Sequence, residues 1–317
     1  MWLGDDPPVM VLTDFAFHQS LTERPDFWAK MKHQRVLVVL LRSWAIRKAG
    51  HVSNWTGYLA EHRKNFSRHR VIYAANAASE LPWLEQAGIE AVWCSHNALV
   101  DERVFAPDPV GYAGAGCEFD AIYDARFSRF KRHPLASEVK RLALIHYAAP
   151  ALCEPLWWVA ARWRLRHARG INRTKWGFWP RSLSPPEVAA ALRRARTGLC
   201  LSAEEGAMVA SIQYLLCGLP VVTTPSHGGR DVFFDRENSI EVEPNAAAVA
   251  GGVRLMIKRN VDPWAIRARA LERMAEHRAR LFALVEDFQR ENGVPLERRL
   301  SAEWKIRQGN PFKDRLG

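Results

Sequence analysis

The sequence predicts an α/β protein of two domains built on parallel sheets. Short apolar runs rich in β-branched residues alternate with polar, helix-like stretches, the pattern of strands joined by crossover helices. One Pro- and Gly-rich stretch without periodicity, residues 106–118 (APDPVGYAGAGCE), breaks that alternation and reads as a linker. At 317 residues the chain is long for one core and comfortable for two.

In the first half, residues 8–14 (PVMVLTD) and 35–41 (RVLVVLL) read as buried strands, and residues 70–74 (RVIYA) as a third after a helix-like stretch around Tyr58 to Asn65. Ser79 is placed to cap a helix that Gly88 ends, before a strand at residues 89–94. In the second half a strand at 119–125 opens the next α/β unit, and Pro134 suits the first position of a helix. Ser184-Pro185-Pro186-Glu187 is a capping box that starts a helix running to about Arg196. A strand at 197–201, a helix from Gly206 to Cys217 stopped by Gly218, and a strand at 219–224 follow. A long Arg-rich helix covers 263–292, with Trp264, Ile266, Leu271, Met274, Leu281, Leu284 and Phe288 available for its apolar face.

Composition is that of a globular protein, 48% hydrophobic and 25% charged, which argues against disorder. The net charge of +11 points to an anionic partner such as nucleic acid, anionic lipid or a phosphorylated substrate. Much of the excess lies between Arg254 and Arg280, where a solvated helix face is the plain explanation. Five cysteines (Cys94, Cys117, Cys153, Cys200, Cys217) with no CxxC pair argue against a zinc ribbon or disulfide framework and fit a reducing cytoplasm. The opening MWLGDDPP lacks the form of a secretory signal. Residues 142–161 are the most apolar stretch, but His146, Pro150, Glu154 and Pro155 interrupt it, against a membrane span. Peripheral membrane contact makes better use of the basic charge and thirteen tryptophans, although tryptophans also serve cores. No zinc finger, RNP-like strand or basic zipper supports nucleic-acid binding.

Two constellations carry chemistry. Arg126 follows the strand at 119–125 directly, and Lys131 comes five residues later, where an open parallel sheet meets its ligand. A diphosphate needs positive charge there, a planar fork from Arg and a point charge from Lys. Two solvated charges in a basic turn are the plainer reading of this pair taken alone. The second constellation, LSAEEGAMVASIQYLLCGLPVVTT, sets Glu204 and Glu205 at the mouth of the expected helix, with Val209, Ile212 and Leu216 as its apolar stripe. A helix N-terminus offers free N–H groups to an anion. Glu204 reads as a complement to the helix dipole, while Gly206 lets a ligand approach the backbone beside Glu205. Gln213 would stand about 12 Å beyond Glu205 along such a helix.

Glu205, Gly206, the CGLP at 217–220, the VV strand and the Gly228-Gly229 loop resemble, in order and spacing, the donor-binding signature of family 4 retaining glycosyltransferases (glycosyl transferases group 1). Arg126 and Lys131 match the family's Arg and Lys. Residues 95–101 (SHNALVD) and Phe105-Ala106-Pro107 look like its interdomain passage, so the likeness covers roughly residues 70–245. The resemblance implies a GT-B fold, two Rossmann-like domains facing a cleft, with a shortened N-terminal acceptor-side domain at 1–105, the linker at 106–118 and a nucleotide-sugar domain at 119–262. The remainder, 263–317, would be a helix crossing back to the N-terminal domain and a tail. It implies a metal-independent, retaining, hexosyltransferase-type enzyme with no cofactor, whose donor is a UDP- or GDP-sugar. Arg126 and Lys131 would neutralise the diphosphate and Glu205 would contact the transferred sugar; Gly206, Ala207, Gln213, Gly228 and Gly229 would line the nucleotide-sugar site. Gln213 departs from the family, which has a second Glu there to take both ribose hydroxyls; an amide offers one acceptor and one donor group instead. The N-terminal domain also lacks the family's Gly-rich loop. These departures motivate an alternative, an inactive GT-B-fold protein that binds a nucleotide or partner without turnover. His18, His51, His96 and His227 fall in or near expected loops, and none is singled out as a base.

Overall fold

The computed structural model describes residues 2–299 except 6, 43, 48–49, 109–116, 148–154 and 174–179. Most of the expected linker, Cys153 and the tail from residue 300 lie outside the described residues, as does the side chain of His51. The chain divides into two compact units, one of residues 1–99 with Met274 onward, the other of Val100–Arg273.

The first unit contains β1 (Trp2–Asp5), β2 (Pro8–Thr13), α1 (Asp14–Glu23), α2 (Pro25–Met31), β3 (Val36–Leu41), α3 (Gly50–Asn65), β4 (His69–Ala75), α4 (Leu81–Gln86) and β5 (Ala91–Trp93). They build one sheet in the order β1-β2-β3-β4-β5, parallel except for the antiparallel edge strand β1. All six residues of β3 are buried, as a strand covered on both faces must be. Met10, Leu12, Val38, Leu40 and Tyr73 pack with Phe17, Trp28 and Leu59 in the core. The expected strand at 8–14 stops one residue early because the Thr13 side chain accepts the N–H of Ala16 at 3.1 Å and starts α1. Ser79 is exposed and caps nothing; instead the buried Glu80 carboxylate accepts the N–H groups of Ile46, Asn76 and Ala77.

The second unit contains β6 (Ala121–Asp124), β7 (Leu142–Ile145), α5 (Pro155–Arg164), β8 (Arg169–Gly170), α6 (Pro185–Leu192), β9 (Gly198–Cys200), β10 (Glu204–Glu205), α7 (Val209–Leu216), β11 (Val221–Thr223), β12 (His227–Gly228), β13 (Ser239–Glu241) and α8 (Ala246–Arg259). Its main sheet is fully parallel in the order β13-β11-β9-β6-β7-β8. The capping box is present, with Glu187 accepting from the Ser184 N–H and hydroxyl at 2.8 Å each. Gly218 ends α7 at φ +76, and a Cβ there would meet Pro263 at 2.4 Å. Gly198 is needed for closeness, since a Cβ would lie 2.4 Å from the Tyr214 ring. Pro134 enters a 3-10 turn, His133–Ala136, rather than an α-helix.

The last helix, α9 (Pro263–Glu291), contributes its residues up to Arg273 to the second unit and the rest to the first. Ile266, Met274, Leu281 and Phe288 are buried, but Trp264 is 48% exposed and leaves the expected apolar face. Several arginines of the basic stretch bind backbone: Arg267 reaches the carbonyls of Glu102, Phe105 and Leu216, and Arg278 that of Ala98. A solvated face accounts for only part of it. Among the described residues no helix is long and apolar enough to cross a membrane; the expected apolar stretch at 142–161 begins with strand β7 and ends within α5.

Candidate functional site

Counted from β6, the second unit's sheet has the order 3-2-1-4-5-6, and its winding reverses between β6 and β9. Loops leaving two such strands at their carboxyl ends part to opposite sides and open a crevice, where ligands of α/β sheets bind. Residues 125–132 leave β6 and residues 201–206 leave β9 at this point.

Lys131 and Glu205 meet there. The ammonium Nζ bonds Oε1 of the carboxylate, and both residues are 7% exposed. The turn that carries Lys131 is held from several sides. The Tyr123 hydroxyl donates to the Lys131 carbonyl at 2.5 Å, and Arg132 adopts a left-handed φ of +51. The Arg132 guanidinium donates to the carbonyls of Leu201 and Pro225 and to the Thr224 hydroxyl, tying the turn to the ends of β9 and β11. Glu205 is set by pairing of β10 with β12, Glu205 opposite Gly228, and the Gly229 N–H donates to the Gly206 carbonyl at 2.7 Å. Arg230, fully buried, completes the wall: it donates to the Ser202 and Thr224 carbonyls at 2.6 Å each and to the Thr223 hydroxyl at 2.5 Å, and grips the Asp231 carboxylate with two bonds.

The charges around the pair form one neighbourhood. Burial raises the Asp124 carboxyl to about 7, against the pull of Lys131. Tyr147 is 54% exposed as a whole, but burial of its hydroxyl end raises that group to about 12, the charges of Asp124 and Glu205 add to this, and Arg126 opposes it. Arg126 is exposed. His133 lies between the rings of Tyr123 and Phe127 and is neutral: burial, then His146 and Lys131, lower it to about 3. Among the described residues no three His, Cys, Asp or Glu side chains group to hold a metal ion.

Several expectations are corrected. Glu204 and Glu205 form a short strand rather than the mouth of a helix, because α7 starts only at Val209, after Met208 at φ +49. The 12 Å helical span to Gln213 therefore does not apply. Gln213 is half-buried in α7, and its carbonyl accepts the Cys217 N–H. Val209 is 38% exposed, so the apolar stripe is Ile212, Leu215 and Leu216. Ala207 is buried, Gly228 exposed and Gly229 buried. His18 packs edge-on against Tyr58, and His96 donates its N–H to the Asn76 side chain. His227 is exposed in β12. Reasoning from sequence missed Asp124, Tyr147, Arg132 and Arg230. Position just at or after a strand's carboxyl end was the available signal for the first two.

No family model matches the sequence, and no curated protein matches it. Solved structures match in fold. TarM of S. aureus aligns over 88% of this chain and 54% of its own, at 14% identity and a TM-score of 0.58. The chain thus spans about half the length of TarM. Sucrose-phosphate synthase from Thermosynechococcus elongatus aligns over 90% of this chain and 74% of its own, at 12% identity and 0.58. Anabaena HepE, solved in complex with UDP and glucose, aligns over 85% and 94% at 10% identity and 0.51. At such identities the likeness is one of fold, and the two Rossmann-like units of this chain share the GT-B fold of these glycosyltransferases.

Proposed function

We propose that the chain is a family 4, retaining glycosyltransferase that moves a hexosyl group from a UDP- or GDP-sugar to an acceptor hydroxyl. The reading extends to a metal-independent reaction in the cytoplasm, serving polysaccharide, glycolipid or glycosylated-metabolite assembly. The Lys131–Glu205 ion pair at the β6/β9 crevice carries it, because it joins the two separately recognised constellations in one place. HepE, whose fold is similar, is a complex with UDP and glucose.

In this reading Arg126 and Lys131 take the donor diphosphate, and Lys131 exchanges its carboxylate partner for a phosphate oxygen. Glu205, released, accepts hydrogen bonds from hydroxyls of the sugar. The bond from the anomeric carbon to the diphosphate breaks while the acceptor oxygen bonds on the same face, and the acceptor proton passes to the leaving phosphate. Two cations stabilise the charge that develops on that phosphate, so the protein supplies position and field more than covalent chemistry. Gly206, Ala207, Gly228 and Gly229 line the approach, and Gln213 faces the ribose.

Calorimetry with UDP and GDP, followed by hydrolysis assays on a panel of sugar nucleotides, tests this. Binding of one nucleotide with turnover of its sugar is expected. A second reading, a GT-B-fold protein that binds without turnover, is favoured by Gln213 and by a Lys131 charge already answered by Glu205. Tight nucleotide binding with no hydrolysis and no transfer to any acceptor supports that one; no binding of either nucleotide sinks the transfer reading and leaves the second only its partner-binding form.

A further inference from the structure

Helix α5 turns its apolar side to solvent. Leu156, Val159 and Trp163 are 85%, 59% and 69% exposed, at spacings that put them on one stripe. No other helix among the described residues exposes more than one large apolar side chain. The opposite side anchors the helix, with Ala161 and Leu165 buried and Trp157 and Trp158 half-buried against Phe127. Burying the stripe instead would have been favourable by the ordinary hydrophobic effect, so its exposure asks for a partner.

The charge around the stripe says which. From Pro155 to Gly170 the sequence is PLWWVAARWRLRHARG, with Arg162, Arg164, Arg166 and Arg169 and no acid. Arg164 and Arg166 are exposed beside the stripe, and the Arg166 guanidinium stands 5.0 Å from the Trp163 ring centre. A basic helix with Trp and Leu on its free side matches the boundary of an anionic bilayer, with the apolar stripe in the acyl region and guanidinium groups among headgroups. A helix of ten residues is too short to span, so it lies in the plane of the surface.

We infer that α5 is an interfacial anchor that docks the second unit onto a membrane bearing anionic lipid, through Leu156, Val159 and Trp163 with Arg164 and Arg166. The inference stands apart from the transfer reaction, and failure of one leaves the other untouched.

Vesicle co-sedimentation of the full chain tests it, using phosphatidylcholine alone or with about 30% phosphatidylserine. The chain should partition onto the anionic vesicles and not the neutral ones. Leu156→Ser/Val159→Ser/Trp163→Ser should lower that partition about tenfold or more. Arg164→Gln/Arg166→Gln should lower it by a few-fold and weaken its salt dependence. All five side chains are exposed, and unchanged circular dichroism and melting verify the fold. No binding by the parent chain overturns the proposal. So does equal binding by the Ser variant, which would mean diffuse surface charge. A concentration-dependent dimer that the Ser variant abolishes, without vesicle binding, would instead assign the stripe to a second copy.

Discussion

The two sheets of this chain are built alike and used differently. In the first unit β2, β3, β4 and β5 follow one another across the sheet in a single direction. Polar side chains at their carboxyl ends are taken up by backbone: Asn76 donates to the Arg42 carbonyl and accepts the His96 N–H, Glu80 accepts three N–H groups, and Arg42 donates to the Trp44 carbonyl. In the second unit the winding reverses at β6 and β9, and there Lys131 and Glu205 face each other as side chains. Where neighbouring loops run in the same sense they knit together; where they part, charges are left to meet each other or a ligand. Topology, more than local composition, decides which edge is available for chemistry.

The largest test of that contrast is Arg126→Ala/Lys131→Ala, expected to reduce transfer by about a thousandfold or more if the reversal crevice is the active site. Arg126→Ala alone is the cleaner half, since Arg126 is exposed, whereas Lys131→Ala also leaves the Glu205 carboxylate buried without its partner and should lower the melting temperature. A double variant with parental kcat/KM would move the chemistry elsewhere, the first unit's edge included.

Acid should strike the first unit through His62 and His69. His69 Nε2 lies 3.1 Å from the Met31 carbonyl and must carry a proton to bond it, so its Nδ1 accepts from His62 Nε2. Burial, with His69 adding, lowers His62 from 6.5 to about 3. The folded form keeps it neutral while the unfolded chain takes up a proton, so stability is intact above about 6.5 and falls as pH drops through the window down to 3. About 3 kcal/mol should be lost by pH 4 from this group alone. Denaturant melts across that range read the slope, and His62→Gln should flatten it; an unchanged slope would reject the assignment. His133 and His146, lowered to about 3 and about 4, add a component of the same sign in the second unit.

Gly198→Ala is the next largest, at about 2 kcal/mol, because its methyl displaces the Tyr214 ring. The Tyr214 hydroxyl accepts the Asp124 N–H at 2.7 Å, so nucleotide affinity should fall along with the melting temperature. A loss of stability with full affinity would separate packing under the sheet from the crevice above it. The smallest pair compares one device in both units. Thr13→Ala and Asn245→Ala remove the side-chain caps of α1 and α8, and each should cost about 1 kcal/mol by chemical denaturation. A second transition, or a lowered m-value in one variant and not the other, would show that the two units do not unfold together.

Much of the architecture was legible in the sequence. The runs at β2, β3 and β4 are continuous and apolar because both faces are covered, and Ser184 with Glu187 and Gly218 punctuate their helices by local chemistry. Helix α1 was hidden because two of its three buried residues are polar, Asp14 and Ser20, the latter receiving the Trp28 indole N–H. The start of α7 was misplaced because a left-handed Met208 has no sequence signature, and β10 exists only when His227 and Gly228 come alongside. Of the candidate site, Lys131 and Glu205 were legible as residues, but their contact depends on Arg132 and Arg230 bonding to distant carbonyls, which no local pattern announces.

Arg230 has a kinetic implication. Its guanidinium already clasps the crests of the β9 and β11 loops, so the wall beside Glu205 holds its shape without help from a guest. An incoming anion then has no loop to order on that side, and its capture should be governed by encounter and field rather than by a slow closing step. Arg230→Lys, with one ammonium in place of a planar fork, would let the two crests drift apart, and the cost would surface first as sluggish association.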